Sequence, residues 1–263
     1  MSVAAAVEPR STSPVRQPRA QRLYRWLARR EQKGRLLCLL AVLVASLVAF
    51  GHVVEDYLTR DPLVEWDVRF ASWLHVHSSS ELVTVFKVIT WAGNSVVLLL
   101  VVGAVAAILA RRGRTQDAAV LVVALVGAGV LNSLLKLLFQ RPRPELAFVH
   151  LETYSFPSGH AAVATATFAT LAFVIGQRAR PRQALAVGAA AVALILLVGF
   201  SRLYLGVHYL SDVLAGTSFG LAWASLCLIA YTLWGDRRLP LRASGRGRRA
   251  RPRDPSRARS GTG

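Results

Sequence analysis

Cysteine is almost missing from this chain, with two residues in 263. Cys38 and Cys227 lie inside apolar runs with no metal-ligand spacing around them, which excludes a cysteine-based metal site and leaves two small, buried side chains. Acidic side chains are also few, 14 Asp and Glu against 32 Lys and Arg. There is no internal repeat and no sign of a second folded domain. No cleavable signal peptide is expected, because the first apolar run starts at Leu36 and outlasts a typical signal core; that helix is expected to stay as an anchor.

What the chain does have is apolar sequence in long blocks, 54% hydrophobic residues with only 17% charged. A bilayer core of about 30 Å needs roughly 20 such residues per helix. Six segments qualify or nearly so: Leu36–Val54, Leu82–Ala110, Ala118–Phe139, Gly159–Ile175, Ala184–Phe200 and Tyr209–Trp234. The expected fold is all-α and polytopic, with six transmembrane helices and both termini on one side. Between the first two spans, Leu63, Trp66, Phe70, Trp73 and His77 recur at three- and four-residue steps, which predicts a helix lying in the headgroup region as an anchor.

The formal charge of +18 raises the question of nucleic acid. Its placement argues otherwise, because 25 of the 32 cations fall in residues 1–35, Arg111–Arg114, Arg178–Arg182 and after Trp234, all on one predicted face. Cationic loops stay in the cytoplasm, so the expected topology is N-in and C-in, and the basic excess reads as topology plus attraction to anionic headgroups. Residues 1–35 are expected to be basic and largely disordered, 36–234 to form the membrane domain, and 235–263 to be a second basic, disordered tail.

Seven cations remain, and Lys136, Arg141, Arg143 and Arg202 cluster at the outer ends of two spans or in the long loop Gln140–Ser158. Ionisable residues at such depth are costly unless paired or used, so something anionic is expected there. His150, His160 and His208 share the region. The stretch "PSGH", Pro157 to His160, opens the fourth span, where free backbone N–H groups and the helix dipole favour an anion and Gly159 lets a phosphate approach closely. In "SRLYLGVHYLSD", Ser201 to Asp212, His208 and Asp212 are four apart and share a face if they are helical. A carboxylate on one ring nitrogen would leave the other free to attack. Each feature alone has an ordinary explanation, whether solvated histidine, helix cap or snorkelling lysine. Their appearance at one membrane face is what calls for function.

Together, "KLLFQRPRP" from Lys136 to Pro144, "PSGH" and "SRLYLGVHYLSD" resemble the three-part signature of the type 2 phosphatidic acid phosphatase (PAP2) family, which shares its site with vanadium haloperoxidases. The resemblance spans roughly residues 80–234, with the signature at 136–212, and no signature position departs from the pattern; Arg141 is an additional cation outside it. It implies a membrane lipid phosphatase with His208 as nucleophile through a phosphohistidine and Asp212 orienting it. His160 would be acid and then base, and Lys136, Arg143, Ser158, Gly159 and Arg202 would hold the phosphoryl oxygens. Three cations can replace a metal, and the carboxylates left over are Glu145 and Glu152, so no metal and no cofactor is expected. The expected substrate is a lipid phosphate or diphosphate at the outer leaflet, undecaprenyl diphosphate first, then phosphatidate or phosphatidylglycerol phosphate. The competing class is a lipid translocator, which would not need the His208–Asp212 pair.

Overall fold

In the computed structural model, residues 19–59, 62–145, 147–149 and 152–236 are described, and every regular element among them is helical. The helices are α1 (Arg19–Thr59), α2 (Pro62–Val76), α3 (Ser80–Ile89), α4 (Ser95–Arg111), α5 (Thr115–Phe139), α6 (Gly159–Gly176), α7 (Pro181–Tyr204) and α8 (Leu210–Asp236), with a 3-10 turn at Thr90–Gly93. Five helices are long and apolar enough to cross a membrane, and α3 with α4 makes a sixth span bent by 45°.

Local sequence explains the boundaries. Ser79 caps α3 by accepting from the Leu82 amide at 3.3 Å. Asn94 caps α4 by accepting from Val96 at 2.9 Å and Val97 at 3.3 Å. That cap sits in the middle of the run Leu82–Ala110, so the single span expected there is two helices with a bend. Gln140 ends α5 in the left-handed region, φ 46°.

Two expectations need correction. Residues 19–35 are helical as the lead-in to α1, because the stretch from Arg19 to Thr59 has no proline and is rich in Leu, Ala, Arg and Gln, all good helix formers. The expected disorder of 1–18 and 237–263 lies outside the described residues, as does His150. Cys227 is buried as expected, but Cys38 is exposed on α1. Its apolar surroundings in the sequence are a face turned outward.

Outward apolar faces are general here. Leu99, Leu100, Leu138, Leu185 and Leu196 are all exposed, whereas the inner contacts use small residues. Helix α6 buries Ala161, Ala162, Ala164, Thr165, Ala166 and Thr167 and is packed by α5, α7 and α8. Small side chains let helix backbones approach closely where lipid, not water, covers the outside. The central α6 therefore carries His160 at a fixed depth, near one end of the bundle.

Candidate active site

Three chain segments meet at that end: the loop after α5, the first turn of α6, and the connection from α7 into α8. The last of these is a tight reversal. Gly206 takes φ 66° just past α7, a conformation that costs glycine nothing, and Val207 donates back to the Arg202 carbonyl at 3.2 Å. His208 thus precedes α8 instead of lying in its first turn. It still meets Asp212, because Asp212 Oδ2 folds back to accept from the Tyr209 amide at 3.0 Å and lies 3.3 Å from His208 Nδ1. The Asp212 carbonyl in turn accepts from the Ser158 amide at 2.9 Å, tying "PSGH" to the same turn.

The other ring nitrogen of His208 faces cations. Arg143 Nη1 is 3.3 Å from His208 Nε2 and donates to the Val207 carbonyl at 2.6 Å. Its remaining donors go to Thr153 and the Tyr154 carbonyl. Lys136 donates to the Tyr154 and Ser155 carbonyls. Arg202, in the last turn of α7, reaches Thr90 Oγ1 at 2.7 Å. His160 lies within the field of Arg202, Arg143 and Lys136. Gly159 leaves so little room that a Cβ there would come within 3.1 Å of Asn132 Nδ2. All eight signature residues are therefore gathered at one end of the bundle.

Electrostatics separates these cations into two kinds. Among the described residues, Lys136, Arg143 and Arg202 make no ion pair with a carboxylate. Buried Ser158 Oγ and Arg202 Nε have no hydrogen-bond partner. Donors like these suit the oxygens of a tetrahedral anion. Complete burial, and then the charges of Arg202, Arg143 and Lys136, hold the His208 imidazole well below the ordinary histidine pKa. A neutral ring with Nδ1 facing a carboxylate has its Nε2 lone pair available for attack. Among the described residues no group of three or more His, Cys, Asp or Glu side chains is placed to hold a metal ion.

Arg141 is of the other kind, and sequence reasoning left it as a spare cation. It is buried and donates to Asp212 Oδ1 at 2.7 Å, Ser211 Oγ at 2.6 Å and Asp67 Oδ2 at 2.9 Å. Burial works against its charge, but Asp212 and Asp67 outweigh that and raise its pKa. Asp67, on α2, was missed altogether. On that helix Trp66 and Trp73 are exposed, as an anchoring face requires, while Asp67 turns inward to the site. An Arg in an apolar setting implies a carboxylate partner, and that was the available signal.

Residues 117–236 match the PAP2 superfamily. The chain is 33% identical over 138 residues to phosphatidylglycerophosphatase B of Bacillus subtilis, covering 51% of this chain and 67% of that protein. It is 34% identical over 166 residues to lipid A 1-phosphatase of Rhizobium johnstonii, covering 56% of this chain and 64% of that one. The chain thus spans about two thirds of the length of both relatives. The crystal structure of a transmembrane PAP2 type phosphatidylglycerolphosphate phosphatase from Bacillus subtilis superimposes with a TM-score of 0.65 at 25% identity, covering 78% of this chain and 98% of that one.

Proposed function

This chain belongs to the PAP2 superfamily and is a multi-pass membrane protein, and from that premise we propose that it hydrolyses the phosphate of a membrane lipid through a phosphohistidine. The observation that carries the proposal is the His208 ring, held at Nδ1 by Asp212 and facing Arg143 at Nε2, beside cations that no carboxylate neutralises.

In the first half-reaction His208 Nε2 attacks phosphorus while the bond from phosphorus to the lipid oxygen breaks. That oxygen takes a proton from His160. Lys136, Arg143, Arg202, the Ser158 hydroxyl and the Gly159 amide offset charge on the phosphoryl oxygens. In the second half-reaction His160 takes a proton from water, the hydroxyl adds to phosphorus, and the P–N bond breaks to return His208 and release phosphate. Asp212 stabilises the ring while it is cationic. We hold that turnover needs no divalent ion: the two buried carboxylates at this end of the bundle, Asp67 and Asp212, are engaged by Arg141, and three free cations can do a metal's neutralising work. Activity unchanged by EDTA is expected.

For the substrate, the relatives are named for phosphate carried by a lipid, which supports that class; within it, undecaprenyl diphosphate, phosphatidylglycerol phosphate and phosphatidate are the candidates. The cationic loops at the opposite end support a periplasmic or extracellular position for the site. A cysteine introduced at Glu152 should react with an impermeant thiol reagent in intact cells; labelling only after lysis would reverse the topology. The deciding experiment is phosphate release by the purified protein from phosphatidylglycerol phosphate, phosphatidate and undecaprenyl diphosphate in parallel, with His208→Ala as control. Release from one of them that the variant abolishes is expected. No release from any would return the translocator reading.

A further inference from the structure

We propose that Asp67 and Arg141 are positioning residues which, with Asp212, form a buried carboxylate–guanidinium–carboxylate triad whose net charge of minus one sets the aim and protonation of His208. The inference rests on the phosphatase reading above and goes past its signature residues.

The geometry leaves the triad little freedom. Side chains of Arg141, Asp67 and Asp212 are 5%, 0% and 0% exposed. Arg141 Nη1 serves Asp212 and Ser211, and Nη2 serves Asp67. The guanidinium carbon also lies 5.0 Å from the Tyr57 ring centre and 4.3 Å from that of Tyr209, two cation–π contacts. Asp67 accepts from Ser211 twice, from its amide at 2.9 Å and from its hydroxyl. Ser211 immediately precedes Asp212, so Asp67 fixes the turn that carries the carboxylate. Because Arg141 occupies Asp212 Oδ1, only Oδ2 is left for His208 Nδ1 and the Tyr209 amide. The imidazole therefore has one allowed partner atom and its Nε2 points one way.

Charge follows from the same contacts. Two carboxylates and one guanidinium sum to minus one. A single negative charge is what a His208 ring needs when attack on phosphorus makes it cationic; in the resting site that charge favours protonation, and burial with the charges of Arg202, Arg143 and Lys136 opposes it. The charged or titratable groups around Asp212 and His208 are Asp67 from α2, Lys136 from α5, Arg141, Arg143 and Glu145 from the loop, His160 from α6, Arg202 from α7 and Tyr209 beside His208. Asp67 and Arg141 can be changed as a pair without altering the summed charge near His208 and without touching a residue of the proposed machinery.

The test uses that property, with the full chain in detergent releasing phosphate from phosphatidate and phosphatidylglycerol phosphate. Arg141→Met leaves two buried carboxylates, so kcat should fall roughly 10- to 100-fold and the acid limb of the pH–kcat profile should move up. Asp67→Asn leaves the triad neutral, so the acid limb should move down. Asp67→Asn with Arg141→Met restores minus one, and its limb should return to the wild-type position with kcat well above Arg141→Met alone. Substrate ionisation is common to all four proteins, so displacements relative to wild type report the enzyme. Limbs that stay put or move together, or a double variant no more active than Arg141→Met, would overturn the triad and leave a merely structural contact. If Arg141→Met does not fold, Asp67→Asn and the charge-balanced double variant still decide by their limb positions. A wild type silent on these two lipids and on undecaprenyl diphosphate as well would sink the phosphatase reading itself.

Discussion

The two ends of the bundle each carry a buried carboxylate with arginines, and they use them differently. At one end, Asp117 accepts from Arg114 at 2.6 Å, Arg178 at 2.6 Å and Tyr231 at 2.5 Å, so both arginines end on the carboxylate. At the other, some 19 residues up α5 and so about 28 Å away, Asp212 is shared between Arg141 and His208 while three further cations find only carbonyls, two threonine hydroxyls and the His208 ring. The first is a clamp joining α5, α8 and the α6–α7 turn. The second has cationic capacity in excess of its own carboxylates. Volume does not make this distinction: an apolar recess of about 440 Å³ lies beside Arg114 and Arg178, at the clamp. Unpaired charge marks the chemistry here, not the size of a hollow.

The contrast can be broken at either end. Arg143→Ala or Arg202→Ala should lower kcat by about 10²–10³-fold while leaving the melting temperature in detergent where it was, since neither cation holds a carboxylate. A large loss of stability with kcat intact would make the site end a second clamp. Asp117→Ala should do the reverse, lowering stability by about 1–3 kcal/mol as Tyr231 and two partly exposed arginines lose their acceptor, with turnover per folded molecule unchanged. A smaller signal comes from His208. In ¹³C-histidine-labelled protein its ring resonance should stay at the neutral position at pH 6, where an unshifted imidazole would be about three-quarters protonated; an imidazolium shift there would contradict burial among cations as the cause. Smallest of all, Arg69→Ala on α2 removes an exposed 3.3 Å contact with Glu65 and should change stability by less than about 0.5 kcal/mol. Two charged residues on one helix, Asp67 and Arg69, would then differ only in what covers them.

How far the sequence carries is clear from particular residues. The apolar runs located every span because length against bilayer thickness needs no tertiary information. The signature gathered its eight residues because motif spacing is local on either side of each turn. Three things were not readable in this way. The 45° bend comes from Asn94 capping α4 within an apolar run, where "WAGNS" was a stop-and-start signal hidden by hydrophobicity. The helix at 19–35 was hidden by its charge. Asp67 escaped because its partner, Arg141, lies 74 residues away, and no local pattern pairs a carboxylate with a guanidinium over that distance.

That long-range pairing bears on what the minimal working unit is. The family match begins at residue 117, and every signature side chain lies beyond it. Yet Tyr57 on α1 makes a cation–π contact with Arg141, and Asp67 on α2 closes its outer fork. A fragment cut at the match boundary would keep the whole motif and lose the frame that squares it. In this chain the domain defined by sequence similarity is smaller than the domain defined by charge.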